Sequence, residues 1–436
     1  MKTSDLKKVL IISPHFPPSN LAAVHRSRLF AQHLPSFGWE PLILTVDEKY
    51  YEESLDQNLS RLLPAGLAIE KVSAFPVTRP RLIGDIGLRS FFQLYRRAKQ
   101  LIRKEQIDFL YIPIPSFYVA LLGRWLHSGT GIKYGIDYID PWVHRFPGSD
   151  KTFSRHWFSS KLAALLEPIA VKKASLITGV AEGYYKGVQE RNPLLGQYCL
   201  FGAMPYGGER RDHEKVAELG LRPYLFEKRP GKTQLMYAGA MLPKAYAPLE
   251  AILSAMKDYP EAVAGLEIHF IGTGRGTDDP EGYNIKPLAE KYGLWNKVIF
   301  EYPRRIPYLD VLVHLEAVDG VFILGSTEPH YTPSKVYQGV LSGKPVLAVL
   351  HQESTAVTVI RTANTGIVLA FDGESEIQRI KAEFIDIFQS FILFLKRFDR
   401  RQVNTAAFDR YSAEKVTGTL AELLDKCLRS EKDATK

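Results

Sequence analysis

The chain has 436 residues, of which 45% are hydrophobic and 24% charged, and its net charge is +8. This length is too great for one ordinary hydrophobic core and suits two or three domains, while the composition excludes a disordered or low-complexity chain. The basic excess is compatible with an anionic partner such as a phosphorylated substrate or a membrane, and equally with a soluble basic enzyme.

The first half of the chain alternates short apolar strands with helical patterns. The predicted strands cover residues 7–13, 40–47, 107–115, 132–140 and 174–181. After the first strand, Ser19 or Asn20 can cap a helix that ends before Gly38. Strands that are apolar throughout and alternate with helices indicate a parallel sheet covered on both faces.

A polar, basic stretch rich in Gly and Pro, residues 202–232, interrupts this alternation and marks a domain junction. The pattern then restarts with strands at 233–240, 265–274, 297–303, 319–326 and 345–350. The sequence therefore predicts an α/β protein with two Rossmann-like doubly wound domains that face a central cleft. The predicted domains are residues 1–205 and 206–400. A helical segment, 401–436, follows them and is long enough to return to the first domain and pack against it.

The segment YTPSKVYQGVLSGKPVLAVL has the signals of a helix followed at once by a buried strand. Thr332 is a suitable N-cap, and Gly343 is a typical residue just past a helix end. The helix would begin shortly after the carboxyl end of the preceding strand. Its free N–H groups, with Ser334 and Lys335, would then form an anion site. The alternative is that Lys335 is simply solvated.

This segment resembles the corresponding segment of bacterial GT-B glycosyltransferases of family 4. Five further segments are similar to that family in the same order along the chain. They are SPHFPPSNLAAVHRSRLFAQHLPSFGWEPLILT (13–45), GIDYIDPWVHRF (135–146), LITGVAEGYYKGV (176–188), LMYAGAMLPKAYAPLEAI (235–252) and HFIGTGRG (269–276). The resemblance covers about residues 7–360.

The resemblance implies retaining transfer of a sugar from a nucleotide-sugar donor to a glycan or lipid-linked acceptor in polysaccharide biosynthesis, with no metal or other cofactor. The expected donor-binding residues are Ser19, Asn20, Gly239, Lys244, Gly272, Gly274, Thr332, Ser334, Lys335 and Gln338. Asp140 and His144 lie just past a predicted strand end. They are the candidates for a catalytic role, through contacts with sugar hydroxyls or by orienting the acceptor.

Several positions depart from the family pattern. His330 and Gln338 fall at about the positions where the family usually has two glutamates, with Glu328, two residues off, as the alternative for the first. Ala240 stands where the family has an arginine, and Ser19-Asn20 where it commonly has two glycines. Gln338 keeps an acceptor oxygen but has no charge. These changes are the main support for one alternative, a catalytically silent subunit that binds a partner or glycan. A nucleotide-sugar epimerase on the same fold is a second alternative. The epimerase needs carboxylates placed for acid–base chemistry, and the predicted strand ends are poor in them.

Other ligand motifs are weak or absent from the sequence. The GTGRG segment at 272–276 does not open a helix at once, as a dinucleotide-binding loop should. There is no D-x-D motif, P-loop or metal-ligand cluster, and no nucleic-acid recognition motif accompanies the basic charge.

Two features bear on location. Cys199 and Cys427 are far apart, which favours a reducing compartment, and no apolar run reaches the roughly 20 residues needed to span a bilayer. Residues 78–104 are basic and interspersed with apolar and aromatic residues. Such a helix can contact an anionic membrane peripherally, or pack its apolar face on the sheet. The prediction is a cytoplasmic protein, associated with a membrane at most at its surface.

Overall fold

The computed structural model of the protein describes residues 6–78, 84–143, 154–276 and 279–429. The chain forms two compact units. The first comprises the residues up to Tyr206 together with those from Ala413 onward, and the second comprises Gly207–Ser412.

The first unit is built on a parallel sheet of seven strands in the order β3-β2-β1-β4-β5-β6-β7. Its strands are β1 (Lys7–Ile12), β2 (Trp39–Val46), β3 (Ala68–Val72), β4 (Phe109–Ile114), β5 (Lys133–Tyr138), β6 (Leu176–Gly179) and β7 (Leu200–Ala203). Its helices before the junction are α1 (Val24–His33), α2 (Gln57–Ser60), α3 (Ile86–Arg89), α4 (Phe91–Lys104), α5 (Ala120–Thr130), α6 (Arg155–Val171) and α7 (Glu182–Arg191). The strand order reverses between β1 and β4, which is where doubly wound sheets bind ligands.

The second unit has a parallel sheet of six strands in the order β10-β9-β8-β11-β12-β13. Its strands are β8 (Thr233–Ala238), β9 (Leu266–Ile271), β10 (Ile299–Tyr302), β11 (Gly320–Leu324), β12 (Val346–His351) and β13 (Gly366–Phe371). Its helices are α8 (Arg210–Glu218), α9 (Tyr246–Asp258), α10 (Lys286–Lys291), α11 (Tyr308–Ala317), α12 (Lys335–Leu341), α13 (Thr355–Thr362), α14 (Ile377–Arg397) and α15 (Thr405–Asp409). Here the order reverses between β8 and β11.

The last helix, α16 (Ala413–Arg429), belongs to the first unit and packs against α1. Its apolar face, which includes Leu420 and Leu424, joins the core cluster on that side of the sheet. Asp425 accepts a hydrogen bond from the Trp39 indole at 2.9 Å. The helices α4, α5, α6 and α7 contribute to the core on the opposite face.

Two doubly wound α/β sheets confirm the predicted fold class. The sequence prediction missed three edge strands, β3, β7 and β13, most of whose residues are only partly buried. The start of α12 was also predicted wrongly. The helix begins at Lys335, and the Thr332 hydroxyl is hydrogen-bonded to that of Thr355 at 2.8 Å instead of capping the helix.

Candidate functional site

The strand ends on either side of the second unit's switch point bring Gly239 and Lys335 into contact. Gly239 follows β8, has φ +105°, and donates its backbone N–H to Ile271 O at 2.7 Å. A Cβ built on Gly239 would lie 2.2 Å from Cε and 2.6 Å from Nζ of Lys335. The lysine side chain therefore crosses directly over this residue, and only glycine both adopts the backbone angle and leaves the space.

The Lys335 ammonium is a partly buried cation close to a second cation, Arg305. Among the residues the structure describes, it makes no hydrogen bond or ion pair. Burial, and then the charge of Arg305, lower its pKa from the ordinary 10.5 to about 8. Since proteins seldom leave a desolvated ammonium unpaired beside a second cation, Lys335 has the electrostatics of an anion-binding group.

Arg305 was not predicted from the sequence. It lies in the loop between β10 and α11, and a Cβ on Gly272 would lie 3.6 Å from its Cγ. Gly272 follows β9 and has φ +72°. The loop after β10 thus places Arg305 against Gly272, which follows the neighbouring strand β9. The sequence signal for Arg305 is an Arg-Arg pair that lies between two prolines. This pattern matches no recognised binding motif.

Lys244 and His330 lie near one another beside Glu328. The Lys244 Nζ is 3.7 Å from Glu328 Oε1, and its carbonyl accepts from the Thr327 backbone at 3.2 Å. Burial lowers the pKa of His330, with Lys244 adding to the effect and Glu328 opposing it. The imidazole of His330 is therefore neutral near pH 7, and Lys244 already has a carboxylate partner in Glu328.

Gln338 is held in a hydrogen-bonded chain that the sequence did not reveal. Its Oε1 accepts from Nε2 of His213 on α8 at 3.0 Å. The other ring nitrogen of His213 is 2.8 Å from Glu316 Oε1 on α11. The amide nitrogen of Gln338 makes no hydrogen bond within the described part of the chain. The side chain therefore presents a donor, with its acceptor oxygen engaged.

The remaining predicted residues of this unit have different surroundings. Gly274 donates its backbone N–H to Pro303 O at 2.9 Å, and a Cβ there would lie 2.6 Å from that oxygen, so the glycine is required by loop packing. Thr332 is buried and bonded to Thr355. The Ser334 hydroxyl does not cap α12 and is partly buried beside Lys335.

In the first unit, the predicted loop residue Ser19 is engaged internally. It is fully buried, its hydroxyl donates to Glu53 Oε1, and His15 Nδ1 lies 2.7 Å from the same oxygen. Burial opposes ionisation of Glu53, but the hydrogen bonds from His15 and Ser19 and the His15 charge hold its pKa at about 2. The Ser19 hydroxyl is thus committed to the loop's own structure, while Asn20 is partly buried.

Asp140 follows β5 and is exposed at the carboxyl end of the sheet. Surrounding protein still desolvates its carboxyl group and raises the pKa to about 6. A carboxyl group that titrates near neutrality at a strand end is suited to proton transfer or to hydrogen bonding with hydroxyls. His144 lies outside the described residues.

A buried ion pair lies beneath this end of the first sheet, and the sequence did not single it out. The Arg26 guanidinium makes two hydrogen bonds with the Asp137 carboxylate, and both side chains are fully buried. Arg26 also donates to Pro205 O at 2.9 Å, and Thr178 donates to Asp137 at 2.8 Å. Burial disfavours the guanidinium charge, but Asp137 outweighs it and raises the pKa of Arg26.

A pocket of about 440 Å³ lies at the other end of α12. Its lining includes His213, Glu316, Lys344 and Arg400. Lys335 does not line it, so this pocket is separate from the contact between Lys335 and Gly239.

Within the described residues, no group of three or more His, Cys, Asp or Glu side chains could hold a metal ion. No helix in that part of the chain is long and apolar enough to cross a membrane.

The fold is that of two-domain GT-B glycosyltransferases. Similar solved structures include a glycosyltransferase from Rickettsia africae ESF-5, with 15% identity, a TM-score of 0.61, and 97% of this chain and 98% of the other covered. Anabaena HepE in complex with UDP-glucose shares 14% identity at a TM-score of 0.61, with 96% and 99% covered. The α,α-trehalose 6-phosphate synthase from Burkholderia multivorans shares 10% at a TM-score of 0.65, with 99% and 98% covered.

No family model matches the sequence, and no curated protein matches it. At the identities of the solved structures, the similarity establishes the fold alone.

Proposed function

We propose that this protein is a retaining glycosyltransferase that moves a sugar from a nucleotide-sugar donor to a glycan or lipid-linked acceptor in polysaccharide biosynthesis. The observation that carries the proposal is the Lys335 ammonium, partly buried over Gly239 and beside Arg305 at the carboxyl end of the second sheet. The proposal includes a cytoplasmic location and no metal or cofactor beyond the donor itself.

The chemistry of sugar transfer explains why two cations belong at this position. As the bond to the sugar breaks, negative charge accumulates on the departing nucleoside diphosphate. Lys335 and Arg305 would stabilise that charge in a partly desolvated setting, where fixed cations act more strongly than in water. Without a metal, these side chains have to supply the positive charge.

The nucleoside would be held near α12. The free amide nitrogen of Gln338 can donate to a ribose oxygen, while His213 fixes the orientation of the amide. The resembling family uses a glutamate here as an acceptor from the ribose hydroxyls. The change to glutamine would therefore reverse the direction of at least one hydrogen bond while keeping the contact.

In the first unit, Asp140 is the residue we assign to the acceptor. Its raised pKa, about 6, lets it accept a proton or a hydrogen bond from a sugar hydroxyl. The loop at Asn20 would contribute backbone groups, since the Ser19 hydroxyl is already bonded to Glu53.

The solved structures with this fold give independent support for a nucleotide-sugar donor. Anabaena HepE was crystallised with UDP, with UDP-glucose, and with UDP and glucose. UDP and its sugars are therefore the first ligands to test.

A thermal-shift screen tests the proposal. The protein should be stabilised by one of UDP, GDP or CMP and by the matching nucleotide sugar, and the matching sugar should then be hydrolysed slowly in the absence of acceptor. NMR of the released sugar gives its anomeric configuration. Binding without hydrolysis or transfer to any acceptor would favour the silent subunit. Interconversion of two nucleotide sugars would identify an epimerase, and failure to bind any nucleotide would refute the donor site.

The silent-subunit alternative also has a structural observation in its favour. His330 is a histidine with a lowered pKa where the family has a carboxylate, and Ala240 lacks the family's arginine. Arg305 supplies a second cation by another route, and for this reason we favour the enzyme.

Donor affinity should depend on pH through Lys335. Its pKa is about 8 in the free protein, and a bound diphosphate raises it. Affinity should thus be constant near pH 7 and fall as pH rises through 8, by up to about tenfold per pH unit. Calorimetric titration of the nucleotide from pH 7 to 9.5 measures this, with Lys335→Ala as the control that should show no such fall.

The same lowered pKa affects folding in the opposite direction. Between about pH 8 and 10.5 the unfolded chain holds a proton on Lys335 that the folded protein has lost. Stability without ligand should therefore gain a contribution from this residue as pH rises across that window.

A further inference from the structure

The outer face of α6 carries a stripe of exposed apolar side chains. Phe158, Leu162, Leu165 and Ile169 have exposed fractions of 55%, 42%, 66% and 45%. Their spacing of four, three and four residues places them on one side of the helix, over a length of about 16 Å. We call these four residues the apolar stripe.

The apolar stripe is not needed for the core. The opposite side of α6 already packs inward through Ala163, Ala170 and Val171. A helix on the surface of a globular protein normally turns charged and polar residues outward. Ala164 and Pro168 are also exposed between the stripe residues, so most of this surface is apolar. Large contiguous apolar surfaces of this kind mark interaction sites.

The neighbouring helices extend the exposed apolar surface. α5 packs against both α6 and α4, and all three cover the same face of the first sheet. Trp125 on α5 is 43% exposed and stands edge-on to Phe91, with ring centroids 5.0 Å apart. Phe92 on α4 is 58% exposed.

The charge of these three helices is one-sided. They carry lysines and arginines, no aspartate and a single glutamate. That glutamate, Glu167, is fully buried and hydrogen-bonded to Arg191 at 2.8 Å. Lys161 is exposed beside the apolar stripe, and Lys172 and Lys173 are exposed just past the end of α6.

We propose that this face docks on the surface of an anionic phospholipid bilayer, with the apolar stripe inserted among the lipids and the lysines on the phosphate groups. Trp and Phe beside a basic rim are the residues that favour a membrane interface. A second copy of the chain is the poorer occupant, because two such faces would bring their basic rims together without an acid to pair them. The surface needs no catalysis and does not depend on the donor site.

Of the basic stretch predicted at residues 78–104, residues 79–83 lie outside the described part of the chain, and α4 is a smaller part of this face than the sequence indicates. On α4, Leu94, Ala98, Leu101 and Ile102 are buried in the core, which leaves Phe92 and the cations outside. The apolar contribution comes mainly from α6, which the sequence analysis did not select.

Vesicle co-sedimentation tests the proposal on the full chain. The wild-type protein should sediment with vesicles of 70% phosphatidylcholine and 30% phosphatidylglycerol, bind less to pure phosphatidylcholine, and lose binding as salt is raised. The double variant Leu162→Gln/Leu165→Gln should bind the mixed vesicles at least tenfold more weakly. The control is Tyr259→Gln/Leu393→Gln, since these residues are 59% and 57% exposed and both belong to the second unit. That variant should bind like the wild type.

Three results would overturn the proposal. They are absence of wild-type binding to the mixed vesicles, unchanged binding of the α6 variant, and an equal loss in the control variant. Light scattering after gel filtration adds a further check. A wild-type dimer that the α6 substitutions convert to a monomer would assign the face to a second copy. Thermal shift with nucleotide on the same variants reports on the donor site separately, so either proposal can fail without the other.

Discussion

Replacing Lys335 by alanine should weaken binding of the donor nucleotide by about 10- to 100-fold, the range for losing a hydrogen bond to a charged group. The protein should remain folded, because the ammonium is desolvated, has no anionic partner among the described residues and lies near Arg305. Its free energy of unfolding without ligand should be unchanged or higher. Calorimetric titration with the nucleotide found in the screen, together with chemical denaturation, measures both quantities.

The control for this variant is Lys344→Ala. Lys344 is also partly buried and follows the opposite end of α12, where it lines the separate pocket. The Lys344→Ala substitution removes the same charge from the same region and leaves the contact between Lys335 and Gly239 in place. If both variants lose affinity equally, the effect is one of overall charge. If Lys335→Ala binds the nucleotide as tightly as the wild type, the diphosphate role of Lys335 is wrong.

Replacing Arg26 by alanine should destabilise the first unit by about 3–5 kcal/mol, since removing one partner of a buried ion pair leaves the other charged and uncompensated. Asp137 would be that uncompensated charge, and it is fully buried. Urea denaturation followed by circular dichroism measures the loss, and an early first transition would show that one unit unfolds before the other.

A second ion pair in the same unit provides the control. Arg97 bonds to Glu70 at 2.7 Å, but both side chains are partly exposed. Arg97→Ala should cost under about 1 kcal/mol. The double variant Arg26→Leu/Asp137→Leu should recover part of the loss, because it removes both buried charges. Equal effects of Arg26→Ala and Arg97→Ala would contradict the importance of burial.

For Lys335 and Gln338, the sequence predicted the position in the chain, and the structure revealed the neighbours. The sequence placed both on one helix after a strand and identified Lys335 as a candidate phosphate ligand. It could not show that Lys335 lies over Gly239, nearly a hundred residues away, or that Arg305 is beside it. For Gln338, the sequence indicated a lost carboxylate. Only the packing of α8 against α11 and α12 revealed His213 as the group that occupies its oxygen.

The apolar runs and their alternation with helical patterns were sufficient for the class of fold. The reason is that a buried parallel strand must be apolar on both faces, and this composition is visible in a single sequence. The positions of the central strands followed from the same property. Three edge strands, β3, β7 and β13, were not predicted. β3 carries charged residues, and β7 has only four residues including a glycine, so neither shows the pattern of a buried central strand. β13 is apolar throughout and was missed although its composition fits a buried strand.

What only the tertiary structure decided are the contacts between residues far apart in the chain. The Arg26–Asp137 pair joins residues more than a hundred positions apart, and the apolar stripe of α6 is recognisable only once its inward face is known. An exposed leucine and a buried leucine cannot be distinguished in the sequence. Their difference arises from which side of a helix meets the sheet, and that depends on the packing of the whole unit.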